Sequence, residues 1–182
     1  MSGIKGIVLL GRLNYVEENF DKDGLKNLLD KLNVGKESPL FQPIIISKDY
    51  PENLLTEIDE ILLKHFFNND LQKFYQLGVW HAQHIMSTYF QVYIDEQSPG
   101  GFLNQMVRLR PYLVGLGELS VSEIDPHEFY LLINYGQKYP ESVRLSELGF
   151  IEEGLRLCGA KDVKSKIEEK DDISVEYKLN WK

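Results

Sequence analysis

Apolar and polar residues alternate most clearly at the end of the chain. Ile173, Val175, Tyr177, Leu179 and Trp181 share one parity, and Ser174, Glu176, Lys178, Asn180 and Lys182 share the other. This period-two pattern belongs to a strand with one solvated face. Val163, Ser165 and Ile167 repeat it just upstream, and the polar run Glu169-Lys170-Asp171-Asp172 joins the two strands into a hairpin. A helix is predicted before this hairpin, from Leu148 to Leu157, with Gly159 as its C-cap. Leu119–Ile124 and Phe129–Tyr135 read as a second strand pair, turned at Asp125-Pro126-His127. Phe129 to Ile133 is apolar on both faces, which predicts a covered inner strand. Trp181 closes the apolar face of the last strand and is expected to be buried.

The first part of the chain has helical spacing instead. Ile7, Leu10, Tyr15 and Phe20 set a stripe from Ile4 to Phe20, although Gly6 and Gly11 weaken it and a strand over Lys5–Leu10 competes. Asp23 is predicted to cap a short helix from Gly24 to Leu32. Residues 33–49 read as a loop with one short extended piece. Tyr50-Pro51 opens a helix bearing Leu54, Leu55, Ile58, Ile61, Leu62 and Phe66. Asp70 is expected to cap a long central helix, Leu71 to Ile94, on whose stripe Gly78 and Ala82 would admit another backbone closely. Ser98-Pro99-Gly100-Gly101 is predicted to break the chain before a helix from Phe102 to Leu113. The sum is one α+β domain over residues 1–182: an N-terminal helical part, 1–117, packed on a C-terminal part, 118–182. That second part is a four-stranded antiparallel sheet with one inserted helix.

Composition narrows function only modestly. Hydrophobic residues make up 43% of the chain, ample for a core, and the formal net charge is −8. An acidic balance argues against a nucleic-acid partner. The one cysteine, Cys158, rules out an internal disulfide and reads as a small buried hydrophobe. Only eight residues separate Lys5 from Arg12, so no membrane span or secretory signal is expected there, and a cytoplasmic home fits. Catalytic signatures are missing: there is no G-x-S-x-G, no phosphate-cradling glycine loop and no H-E-x-x-H. The adjacent acidic pairs Glu17-Glu18, Glu152-Glu153 and Asp171-Asp172 point apart and read as surface charge. The chain is therefore not read as an enzyme.

Short stretches carry a resemblance. Gly149-Phe150-Ile151-Glu152-Glu153-Gly154-Leu155 resembles the "G-F-hydrophobic-E-G" helix of 4-vinyl-reductase-type ligand-binding domains, and Val175-Glu176-Tyr177-Lys178-Leu179 resembles their closing strand. Leu77-Gly78 at the head of a long helix resembles the same family, while Lys5-Gly6-Ile7-Val8 is closer to the opening of haem–nitric-oxide-binding domains. These belong to one superfamily with a branch of transport-particle subunits. The resemblance implies a pocket for haem, a tetrapyrrole-related or other apolar ligand, or an acyl chain, and often a homodimer. It does not imply one chemistry. In its haem-binding members the axial histidine lies on the helix after the central one, a few residues past a Phe-Leu start. Phe102-Leu103 stands at that start, and alignment on it sets Arg110 at the histidine's place. A guanidinium stays protonated and has no lone pair for iron. The family's Tyr-x-Ser-x-Arg clamp for haem propionates is also absent. The expectation is therefore no cofactor, with haem disfavoured.

The best pocket candidates are the aromatics of the two consecutive helices. Tyr89, Phe90, Tyr93, Phe102 and Met106 are expected to line an apolar cavity between the central helix and the sheet, with Arg108 or Arg110 at its mouth. Those arginines lie two residues apart on a helix, so at most one faces inward, where it would hold a carboxylate. An ordinary aromatic core with surface arginines explains the same residues. His81 and His84 could offer zinc a pair of imidazoles, but a partly exposed helix face accounts for them, and no metal is expected. The leading reading is a non-catalytic sensor domain for a small apolar or anionic amphipathic ligand, acting as a homodimer through an unidentified partner protein. The alternatives are a dimerising interaction scaffold with a filled core and a haem-dependent sensor of NO or O2.

Overall fold

The computed structural model describes residues 3–32, 38–88 and 98–182. Two compact units make up the chain. One comprises Met1–Lys73 with Tyr112–Leu116, the other Phe74–Pro111 with Gly117–Lys182.

The first unit is built on strand β1 (Ile4–Lys5), helix α1 (Gly6–Lys31), strand β2 (Asp49–Tyr50) and helix α2 (Glu52–Ile61). The competing strand reading over Lys5–Leu10 survives only as β1, which pairs antiparallel with β2, Ile4 opposite Tyr50. The first two predicted helices run together as α1, across a kink at Asp21 (φ 62, ψ −174). There the Asp21 carboxylate accepts from the backbone N–H groups of Asp23 and Gly24. The cap is thus Asp21, not the predicted Asp23, because its backbone leaves the helix and frees its side chain to reach those donors. α2 follows Pro51 and continues into a wider π-type turn at Leu62–Phe66. Val8, Leu9, Val16 and Leu28 of α1 and Leu55, Ile58 and Leu62 of the α2 region form the buried core. One charge pair is buried with them: Arg12 Nε donates to Asp59 Oδ1 at 3.2 Å.

The second unit holds helix α3 (Gln72–Thr88), helix α4 (Pro99–Leu113), strands β3 (Glu118–Asp125) and β4 (Glu128–Asn134), helix α5 (Glu141–Leu157), and strands β5 (Lys164–Lys170) and β6 (Ser174–Asn180). The predicted antiparallel sheet is present, in the order β3-β4-β6-β5. Asp70 caps α3 as expected, accepting from the Gln72 N–H. The predicted end of that helix near Ile94 lies outside the described residues. α4 begins at Pro99 rather than Phe102, since proline is favoured in a first helical turn, where its missing N–H costs nothing. The Ser98–Gly101 stretch is a helix start, not a break; the Ser98 carbonyl accepts from the Phe102 N–H. α5 likewise starts earlier than Leu148, immediately after Pro140.

Alternation decides what the sheet buries. Phe129, Leu131 and Ile133 of β4 and Val175, Tyr177 and Leu179 of β6 are all buried, but Leu132 is 38% exposed. β4 is therefore inner by hydrogen bonding yet covered on one face only, a correction to the two-faced reading. Ile173 belongs to the turn and is exposed, because Asp171 folds that turn by accepting from the Ile173 and Ser174 N–H groups. Trp181 is buried, 6% exposed, its ring stacked on Phe129 with centroids 5.3 Å apart. α3 and α5 approach through glycine on both sides. A Cβ on Gly78 would stand 2.0 Å from the Ser146 carbonyl oxygen, and one on Gly149 would stand 2.2 Å from that of Tyr75.

Two stability outcomes follow from this packing. Trp181→Ala removes a buried aromatic and is expected to cost about 3 kcal/mol, lowering the thermal midpoint by roughly 6–12 °C. An unmoved midpoint would contradict the stacking. Gly78→Ala gains about 1 kcal/mol of helix propensity but forces two backbones apart, at about 1–3 kcal/mol. Urea unfolding should show a net loss, and a gain would show that the helices can separate freely.

Candidate functional site

Helix α4 presents one buried stripe. Phe102, Met106 and Arg110 follow each other at four-residue spacing and are 2%, 2% and 1% exposed, whereas Arg108 is exposed. Helical geometry alone separates the two arginines. Phe102 packs its ring on α5: a Cβ on Gly154 would lie 2.0 Å from the ring's Cζ. Tyr89, Phe90 and Tyr93, the other expected lining residues, lie outside the described residues.

A guanidinium as buried as that of Arg110 needs an anion, and the partner is Glu147 on α5. Arg110 Nε donates to Glu147 Oε1 at 2.8 Å and Nη2 to Oε2 at 3.2 Å. Tyr135, at the end of β4, donates its hydroxyl to the same Oε2 at 3.0 Å. The Arg110 guanidinium also lies over the Tyr135 ring, 5.6 Å from its centroid, and Tyr139 stacks on that same ring with centroids 4.1 Å apart. Burial, and then the Glu147 charge, hold the Tyr135 hydroxyl well above the ordinary tyrosine range. The result is a buried carboxylate gripped by a forked donor and a phenol.

Two further polar clusters sit on α5. Arg144 Nη1 donates to the buried Tyr177 hydroxyl at 2.7 Å, and its Nε donates to Glu141. Burial pushes the Tyr177 hydroxyl up to about 12, against the opposing pull of Arg144. On the other side, Glu152 accepts from Tyr75 (2.7 Å), Ser165 (2.7 Å) and Arg156 (2.8 Å). Glu152 is 6% exposed, so it corrects the reading of Glu152-Glu153 as a surface pair: the helix turns Glu152 onto Tyr75 and β5.

The histidines do not form a pair. His81 is buried edge-on to Phe150, while His84 stacks on Trp80 and its Nδ1 bonds the Trp80 carbonyl oxygen at 2.9 Å. Among the described residues no cluster of His, Cys, Asp or Glu could hold a metal ion. Cys158 is fully buried. A recess of about 190 Å³ opens on the sheet by the β5–β6 turn, lined by Leu132, Glu169, Lys170, Asp171, Ser174 and Glu176, away from the α4 stripe. No described helix is long and apolar enough to cross a membrane.

The sequence reading missed Glu147 and Tyr135. The signal for Glu147 was present: it stands four residues from both Val143 and Ile151, on an apolar stripe, where an acid needs a partner. A helix expected to start at Leu148 leaves Glu147 outside it, whereas α5 starts at Glu141.

No protein-family model matches the sequence, and no curated protein matches it. Solved structures do match by shape. An oxygen-binding H-NOX domain related to soluble guanylate cyclases, in its oxygen complex, is 13% identical, with a TM-score of 0.74 over 98% of this chain and 95% of that one. A structure described as modulating haem redox potential through porphyrin distortion is 13% identical, at 0.73 over 97% and 99%. An unliganded Fe(II) H-NOX mutant from K. algicida is 13% identical, at 0.68 over 98% and 96%. The chain therefore has the fold of haem–nitric-oxide-binding domains, as the resemblance implied. These matches also overturn the expectation of no cofactor with haem disfavoured, since structures that share the fold from end to end are described by their haem redox potential and haem distortion.

The Tyr177 environment makes a pH prediction. Its folded value lies above the ordinary 10.0, so its contribution is fully present below pH 10 and is lost as pH rises toward about 12. Tyr177→Phe should flatten the alkaline fall in urea midpoint over that window. An unchanged slope would mean that Tyr177 ionises as easily in the folded state as in the unfolded one.

Proposed function

We propose that this chain is a ligand-sensing domain whose ligand is haem. The observation that supports this most is end-to-end agreement of fold with structures described by their haem, one of them in the H-NOX family. The donor set gives a partial fit. Arg110 cannot ligate iron, but two buried groups of the second unit carry suitable lone pairs: the Met106 thioether on α4, on the stripe between Phe102 and Arg110, and the His81 imidazole on α3. Bound haem would supply an iron centre for a diatomic gas. The chain's own part is to present one of these donors and to keep the α4 stripe dry.

One observation favours a second reading, an interaction scaffold with a filled core. Phe102 is spent on packing against Gly154, and Arg110 on Glu147, so those two expected pocket residues already have protein neighbours. Reconstitution with hemin separates the two readings. Stoichiometric uptake with a sharp Soret band, shifted or lost in Met106→Leu or His81→Ala, is expected of the sensor. Absence of any stoichiometric complex would overturn the haem reading in favour of the scaffold.

A further inference from the structure

We propose that Arg110 and Tyr135 form a carboxylate-binding site that the chain fills with its own Glu147, so that any external carboxylate must compete with that side chain. The site is built from two elements that Glu147 does not belong to. Arg110 comes from α4 and Tyr135 from the end of β4, whereas Glu147 enters from α5. Both Glu147 oxygens are engaged, one by Nε alone and the other by Nη2 and the phenol together. A planar fork plus a hydroxyl is the donor arrangement that recognises a carboxylate, not a point anion. All three side chains are buried: Arg110 is 1% exposed, Tyr135 3% and Glu147 7%.

The covalent structure of Glu147 fixes the size of the space that its truncation would open. Truncating Glu147 at Cβ removes a CH2–COO⁻ fragment, whose non-hydrogen skeleton is that of acetate. The space left would be lined by the same donors, which lose the carboxylate they grip, and losing one partner of a buried ion pair is costly. The ligand class is a carboxylate, and acetate is the probe that matches the space this truncation makes. If the domain senses a ligand, as proposed above, Glu147 is an autoinhibitory contact that a carboxylate-bearing ligand displaces. The existence of the site does not depend on that reading, and the test needs no haem.

The test is acetate rescue of Glu147→Ala in the full chain. The variant alone should melt about 10 °C below the wild type. Sodium acetate should restore several degrees saturably, at concentrations where sodium chloride and the neutral isostere acetamide do not. The wild type, its site filled, should not respond. The double variant Arg110→Met/Glu147→Ala, with charge removed from both sides, should fold without acetate and ignore it, and Tyr135→Phe/Glu147→Ala should need more acetate for the same rescue. Rescue of equal size in the Arg110→Met double variant, or none in Glu147→Ala, overturns the proposal. Should Glu147→Ala not fold in chloride, refolding from urea in acetate against acetamide gives the same reading: folded protein in acetate alone supports the site, and none in either overturns it. Failure of hemin uptake leaves these outcomes untouched, so the two proposals fail separately.

Discussion

A charge cannot be left alone in a protein interior, and in the second unit that rule is met at Arg110. Its guanidinium lies on the buried stripe of α4, where helical geometry gives it no route to water. Once it is there, a carboxylate must face it, which fixes α5 through Glu147, and the spare capacity of that carboxylate then ties down the end of β4 through Tyr135. Such pairs often add little net stability compared with apolar residues of like volume, but removing one partner is expensive. The triad therefore fixes which helix faces which more than it deepens the energy well. Arg12 and Asp59 play the same part inside the first unit, between α1 and α2.

α5 is the element on which the second unit converges. Its Gly149 and the Gly78 of α3 let the two backbones meet, and its polar residues each reach a different neighbour. Arg144 binds Tyr177 on β6, Glu147 binds α4 and β4, and Glu152 binds Tyr75 on α3 and Ser165 on β5. A helix buried along nearly its whole length could not carry these charges unless every one were paired. The same constraint explains why the helix can be rich in Arg and Glu and still lie at the centre of a core.

The likeness to H-NOX domains runs end to end at 13% identity, so what is shared is the path of the backbone. A shared backbone path does not fix a chemistry; side chains placed on it do. Here the inward stripe of α4 holds an aromatic, a thioether and a guanidinium, and the guanidinium already grips a carboxylate from the same chain. The functional proposals rest on those residues.

Period-two alternation from Val175 to Trp181 was enough to determine a strand, its buried face and the burial of a penultimate tryptophan, because the pleat leaves an alternating sequence one choice. Asp70 as a cap, Gly78 as a point of close approach and the antiparallel sheet were legible for similar local reasons. Boundaries set by proline were not: α4 and α5 both start earlier than apolar periodicity suggests, since proline is favoured at the first turn and the stripe begins only later. Which of Arg108 and Arg110 turns inward, what meets it, and whether an acidic residue is surface or core were decided by tertiary structure alone. Glu152 is buried on Tyr75 and Ser165 and its neighbour Glu153 is partly covered and bonded to Gln83, because burial depends on what the fold brings to each side of a helix, and a local pattern cannot encode residues that lie dozens of positions away.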